Sequence, residues 1–130
     1  MAKADIATRA DIDQLVRAFY SQATVDPLIG HFFTEVAKLD LDTHMPKIAD
    51  FWETVLLGNV QYQGRPMMKH LMLHAQSPLQ MEHIARWIEL WEKTVQSMFE
   101  GPLATESIRR AHLFGQTMFY KTQHMNNTPR

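Results

Sequence analysis

Apolar residues recur along most of the chain at intervals of three and four, the spacing of one face of an α-helix. The pattern predicts four substantial helices and a short helical turn from Leu28 to Phe33. The positions expected to face inward are Ile12, Leu15, Val16, Phe19, Tyr20 and Ala23; Ile48, Phe51, Trp52, Val55 and Leu56; Ile84, Trp87, Ile88, Trp91, Val95 and Met98; and Ile108, Ala111, His112, Gly115, Met118 and Phe119. No segment shows the period of two typical of a half-buried strand, so the predicted fold class is all-α.

Capping and breaking residues predict where these helices begin and end. The predicted starts are Thr8 with Asp11, Asp42 with Thr43, and Ser77-Pro78 with Gln80; the predicted ends are Asp26-Pro27, Gly58-Asn59 and Gly101-Pro102. A chain of 130 residues should form one domain. We expect its core to span about residues 10–122 and its tail, residues 123–130, to be frayed.

The composition is that of a globular protein and excludes several classes of function. Hydrophobic residues make up 45% of the chain, and 13 basic residues balance 14 acidic ones. This balance gives no reason to expect nucleic acid or an anionic membrane as a partner. There is no cysteine, which excludes disulfides, thiolate catalysis and cysteine zinc sites. The N-terminus lacks the apolar core of a signal peptide, so a cytoplasmic location is expected.

Two histidines stand four residues apart in the apolar stretch "GRPMMKHLMLH", residues 64–74. His70 and His74 are consistent with buried structural imidazoles, a zinc pair or the attachment point of a larger cofactor. Zinc needs further ligands, and the chain has neither a cysteine nor a glutamate in the HExxH position. Heme needs one imidazole and an apolar slot. Nine methionines, three tryptophans and seven phenylalanines fit an interior that encloses a flat apolar ligand, but they are also ordinary core residues.

A heme site also needs hydrogen-bond donors on the face of the iron opposite the histidine. A small ligand that carries partial negative charge is held by a phenol O–H or an indole N–H. Tyr20 at the end of an apolar stripe, His44 near the start of a helix, and Trp87 in the longest stripe are the candidates. Taken singly, Tyr20 and Trp87 are more often core aromatic residues than ligand donors.

Four blocks of sequence resemble the group III truncated hemoglobins of bacteria. They are Phe19-Tyr20, "HMPKIADFWETVLLG" at 44–58, "YQGRPMMKHL" at 62–71 and "RWIELWEKT" at 86–94. Their order and spacing agree over roughly residues 10 to 122. The resemblance implies a shortened globin fold in which two pairs of helices form a two-on-two sandwich around heme b.

The resemblance also implies roles for single residues. His70 matches the proximal iron ligand, Tyr20 and Trp87 match distal hydrogen-bond donors, and His44 matches the distal histidine near the ligand entry. The apolar residues matched around the ring are Phe32, Phe33, Phe51 and Trp52, and we name Arg65 and Lys69 as cationic candidates for the propionates. His74 is expected at the surface or behind the ligand, and a register shift of one helical turn would exchange it with His70.

The function implied is reversible binding of dioxygen, with nitric oxide, carbon monoxide and cyanide as further ligands and an unidentified reductase as partner. Two distal donors predict slow release of oxygen, which suits redox chemistry better than transport. Two alternatives stay open: a peroxidase-like or nitric oxide-consuming enzyme at the same heme, and a helical interaction module without a cofactor.

Overall fold

The computed structural model describes residues 3–38, 40–59, 70, 74 and 79–127. Its regular elements are α1 (Arg9–Ala23), a π-helical turn (Phe32–Val36), α2 (Leu41–Leu57), α3 (Met81–Met98) and α4 (Pro102–Asn127). Every regular element in these ranges is helical, which confirms the all-α class. No helix in the described part of the chain is both long and apolar enough to span a bilayer.

Some helix ends follow the predicted signals, and three differ. Thr8 and Asp11 form the predicted capping box of α1, and Gly58 ends α2 in the left-handed conformation with φ +77°. The cap of α2 is Asp40 rather than Asp42, and α3 begins at Met81 rather than at Pro78. Helix α1 ends at Ala23, three residues before the predicted break at Asp26-Pro27.

The four α-helices pack as two pairs that lie against each other. Helix α1 contacts α2 and α3, and α4 contacts α3 and α2. The close approach of α4 to α3 requires Gly115, because a Cβ atom there would lie 2.6 Å from the Cδ1 atom of Ile88. The α1/α2 pair and the α3/α4 pair therefore form two layers around a shared apolar core.

Charged side chains fix the relative positions of these layers. Arg9 at the start of α1 donates to the carboxylates of Asp50 and Glu53 on α2, at 2.7 and 2.8 Å. Asp26, beyond the end of α1, accepts from the Arg86 guanidinium of α3 at 2.8 Å. The first contact holds α1 on α2, and the second holds the end of α1 on α3.

Asp26 also organises the turn that follows α1. Its Oδ1 atom accepts from the backbone N–H groups of Leu28 and Ile29 at 2.9 and 3.1 Å. Burial of the carboxyl opposes its ionisation, but the hydrogen bond from Arg86 and the two backbone bonds outweigh that effect and lower the pKa of Asp26. The ionised carboxylate thus links the turn before the π-helical segment to α3.

Replacing Asp26 with Asn should lower the free energy of unfolding by about 2 kcal/mol at neutral pH, since a charge-assisted bond is lost. Because the folded pKa lies below the unfolded value, the contribution of Asp26 is complete above about pH 4 and is lost as the pH falls through the folded value. The difference between wild type and variant should therefore narrow in acid. Denaturant titrations at neutral pH and at about pH 3 measure both differences.

The matched control is Asp13→Asn, which removes an exposed ion pair to Arg9. Such a pair is worth about 0–1 kcal/mol, so this variant should stay close to wild type. An Asp26→Asn effect as small as that of the control, or one that does not narrow in acid, would contradict this account of Asp26.

Candidate functional site

Tyr20 and His44 meet where the end of α1 crosses the start of α2. Tyr20 belongs to the inward stripe of α1 and is 6% exposed, and His44 is half-buried. The Tyr20 hydroxyl lies 2.9 Å from Nε2 of His44, and the edge of the Tyr20 ring meets Phe33 at 5.6 Å between centroids. The structure thus brings together two of the predicted distal residues and one of the predicted apolar ring contacts.

Burial keeps the Tyr20 hydroxyl protonated. It raises the pKa of Tyr20 far above the usual value for a phenol. Tyr20 therefore keeps its O–H hydrogen throughout the physiological pH range. Depending on its tautomer, His44 either accepts that hydrogen at Nε2 or donates its own Nε2 hydrogen to the phenol oxygen.

Helix α2 carries two adjacent apolar faces. The residues of one face are fully buried in the protein core: Ala49, Trp52, Glu53 and Leu56. The residues of the other face are half-buried and follow at intervals of four, three and four: His44, Ile48, Phe51 and Val55. The second face begins at the histidine that meets Tyr20, so an apolar wall extends along α2 from the hydrogen-bonded pair.

Phe114 on α4 connects His70 with Trp87. The His70 ring stands edge-on to Phe114 at 5.2 Å, and the Trp87 ring lies 6.1 Å from the same phenyl ring. His70, Trp87 and Phe114 are all half-buried. The predicted proximal histidine and the predicted distal tryptophan therefore contact the same aromatic side chain.

His74 is buried, not at the surface. It is 5% exposed, and its Nδ1 atom accepts a hydrogen bond from the backbone N–H of Leu79 at 2.8 Å. A neutral imidazole that accepts at Nδ1 carries its hydrogen on Nε2. In this state neither ring nitrogen of His74 offers a lone pair to a metal, whereas the zinc alternative needs both histidines. Within the described residues no group of three or more histidine, aspartate or glutamate side chains is placed to hold a metal ion.

Two further residues predicted to contact the ring, Trp52 and Phe32, pack on aromatic side chains of α3. Trp52 stacks on Trp91 with 4.7 Å between ring centroids, and Phe32 packs against His83 at 5.0 Å. Both Trp52 and Phe32 are buried among protein side chains. The indole N–H of Trp91 is buried and has no hydrogen-bond partner in the part of the chain that the structure describes.

Two residues that touch this site were not assigned to it from the sequence, and two that were assigned lie outside the described residues. Phe114 was omitted because Gly115 and Ala111 defined the inward face, although Phe114 lies three residues from Ala111 and shares that side of the helix. Trp91 was predicted only as a core position. Arg65 and Lys69 lie outside the described residues.

The side chains present fit a flat apolar cofactor. Apolar surface left in water costs about 25 cal/mol per Å², so the half-buried face of α2 is stabilised when an apolar group covers it. Two hydrogen-bonding groups stand at one end of this face. On α3, Trp87 lies one helical turn from Trp91, which contacts Phe19 beside Tyr20 at 5.3 Å. This chain of contacts connects the His70 and Phe114 cluster with the Tyr20 and His44 cluster.

Comparison with known proteins identifies similar chains of nearly equal length. A family model described as bacterial-like globin matches residues 4–120. The group 3 truncated hemoglobin ctb of Campylobacter jejuni is 27% identical over 125 residues, covering 92% of this chain and 96% of that protein. The crystal structure of the group III truncated hemoglobin from Campylobacter jejuni matches with a TM-score of 0.80 and 24% identity, covering 92% of this chain and 94% of that one. The predicted resemblance and the shortened globin fold are confirmed.

Proposed function

The chain belongs to the bacterial-like globin family, and on this basis we propose that it binds heme b and reversibly takes up dioxygen and other small diatomic molecules. Heme, when bound, supplies an iron centre that coordinates such molecules. The observation that carries the proposal is the hydrogen-bonded Tyr20–His44 pair at the head of the half-buried face of α2. An apolar wall and hydrogen-bonding groups are the two features that such a site requires.

His70 is the proposed proximal ligand. Iron takes a neutral imidazole nitrogen with an available lone pair. His74 accepts the Leu79 N–H at Nδ1 and carries its hydrogen on Nε2, so it is not prepared for this role. His70 is half-buried and stands against Phe114, in the cluster that also contains Trp87. These contacts support His70 over the alternative in which the two histidines exchange roles.

Tyr20 and Trp87 are the proposed distal donors. When His44 donates its Nε2 hydrogen to the phenol oxygen, the hydrogen of the Tyr20 hydroxyl is available to a small ligand. The raised pKa of Tyr20 keeps that hydrogen in place. The indole N–H of Trp87 is the second donor. Hydrogen bonds to a ligand with partial negative charge slow its release, which suits chemistry on the held ligand better than transport.

The proposed contacts to the ring follow from burial. Phe33 and Phe51 are half-buried and form part of the wall that the cofactor would cover. Phe32 and Trp52 are buried against His83 and Trp91, so we propose that they support this wall from behind. Covering the wall with a flat apolar ring would also exclude water from the Tyr20–His44 pair.

Several finer assignments stay predictions. Arg65 and Lys69 are proposed partners of the heme propionates. Carbon monoxide, nitric oxide and cyanide are proposed as further ligands. A reductase is proposed as the source of electrons, and the cytoplasm as the location.

Redox chemistry at the same heme is the second candidate function. Peroxidase-like turnover needs a base that takes a proton from the peroxide, and an imidazole in the distal cluster suits this role. The hydrogen bond between His44 and the Tyr20 hydroxyl, 2.9 Å long, would orient the imidazole for this role. Loss of peroxide turnover in His44→Leu, with dioxygen binding retained, would favour this candidate over simple ligand binding.

Absorption spectra test heme binding and the proximal assignment together. The wild-type protein and His74→Asn should show a Soret band that shifts when carbon monoxide is added to the reduced form. In His70→Ala the band should be lost or altered, and added imidazole should restore it. A colourless, folded wild-type protein that fails to take up hemin would instead favour the cofactor-free module. An unaltered spectrum in His70→Ala would contradict the assignment of His70.

Oxygen dissociation from the reduced protein tests the distal donors. Removing a hydrogen bond to a partly charged ligand should raise the dissociation rate about 10- to 100-fold in Tyr20→Phe, and less in Trp87→Phe. Trp91→Phe is the matched control, because it removes an indole N–H that we do not assign to the ligand. Stopped-flow mixing with carbon monoxide measures all three rates. An unchanged rate in Tyr20→Phe, or a larger effect in the control than in Trp87→Phe, would contradict the assignment.

A further inference from the structure

Two imidazoles accept hydrogen bonds from consecutive backbone amides. The Leu79 N–H donates to Nδ1 of His74 at 2.8 Å, and the next N–H, that of Gln80, donates to Nδ1 of His83 at 3.0 Å. Both rings therefore carry a hydrogen on Nε2. His74 precedes these two amides in the chain, and His83 follows them. The two bonds therefore join adjacent peptide groups both to the residue before them, His74, and to α3.

Each of these histidines stands four residues from a residue of the proposed site. His70 and His74 both have helical backbone, and His83 and Trp87 lie one turn apart on α3. His70 and Trp87 in turn contact the phenyl ring of Phe114, at 5.2 and 6.1 Å. His70 and Trp87 are thus linked in two ways. One link is the side chain of Phe114, and the other is the pair of amides bonded to His74 and His83.

Burial makes the hydrogen bond from the Leu79 N–H to His74 costly to lose. His74 is 5% exposed and Leu79 is 7% exposed. A buried donor that loses its acceptor gains no bond to water in exchange. His83 is half-buried and is held by the edge of Phe32, which is itself 4% exposed. Both rings are therefore fixed by packing as well as by hydrogen bonding.

We propose that His74 and His83 are positioning residues that fix His70 relative to Trp87 by holding the consecutive amides of Leu79 and Gln80. The imidazole latch, defined as His74, His83 and these two N–H groups, sets the distance between the side of the site that carries His70 and the side that carries Trp87. The importance of this distance for ligand binding rests on the proposed heme function. The two hydrogen bonds of the latch do not depend on that function.

The tautomers of the two histidines give the first test. Long-range proton–nitrogen NMR spectra of the purified protein, recorded in the reduced carbon monoxide form if heme is present, distinguish an acceptor Nδ1 from a protonated one. At neutral pH both rings should be Nε2–H tautomers. An Nδ1–H tautomer or a doubly protonated ring at either position would overturn the latch.

Variants of His74 separate the hydrogen bond from the space that the ring fills. His74→Leu removes the acceptor, and amide hydrogen exchange at Leu79 should become about tenfold faster. His74→Asn offers an amide oxygen in its place and should restore most of the protection. The same comparison applies to His83→Leu and His83→Gln at the Gln80 amide. Equal exchange in the Leu and Asn variants would overturn the role of the bond.

The positions of His70 and Trp87 give the last test. Cross-relaxation between the rings of His70 and Phe114 should weaken in His74→Leu and return in His74→Asn. The control is Ser107→Ala, which removes a buried bond within α4 and should leave this contact unchanged. In the heme-loaded protein the iron–histidine stretching band should shift and return in the same way. An unchanged ring contact in His74→Leu would overturn the positioning role, whereas absence of the band from wild type would count only against the proposed heme function.

Discussion

The structure depends on how helix α2 divides its side chains between a buried face and an adjacent half-buried one. Helix α2 buries one face against α1 and α4 and leaves a second, adjacent face half-buried. Further burial of this second face would be favourable in water. Under the proposed function a flat apolar cofactor would supply that burial, with Tyr20 and His44 at the end of the face where a small ligand would bind.

The sequence predicted the helices and the burial of Tyr20 because both follow from local rules. The stripe from Ile12 to Ala23 determined which side of α1 is buried, and so placed Tyr20 inside. The apolar pattern of α2 did not distinguish its two faces, since Phe51 and Trp52 are neighbours in the chain and equally apolar. Only packing shows that Trp52 stacks on Trp91 while Phe51 stays half-buried. The apolar pattern also did not predict the burial of His74, whose hydrogen-bond partner is the amide of Leu79, five residues further along the chain.

The chain belongs to the bacterial-like globins, and the hydrogen bonds of its tyrosine and histidine side chains distinguish their possible roles. Tyr20 is a phenol whose proton is retained by burial, and the His44 imidazole lies within hydrogen-bond distance of it. Of the two histidines in the 64–74 stretch, His74 accepts a backbone hydrogen bond at Nδ1, and the ring of His70 packs against Phe114.

A crystal structure of the hemin-reconstituted protein with cyanide tests the central claim most directly. We expect the ring against the half-buried face of α2, the Nε2 atom of His70 on the iron, and the Tyr20 hydroxyl within hydrogen-bond distance of the cyanide nitrogen. His74 should still accept the Leu79 N–H. Iron held by His74, or a ring bound away from the Ile48, Phe51 and Val55 face, would contradict the account.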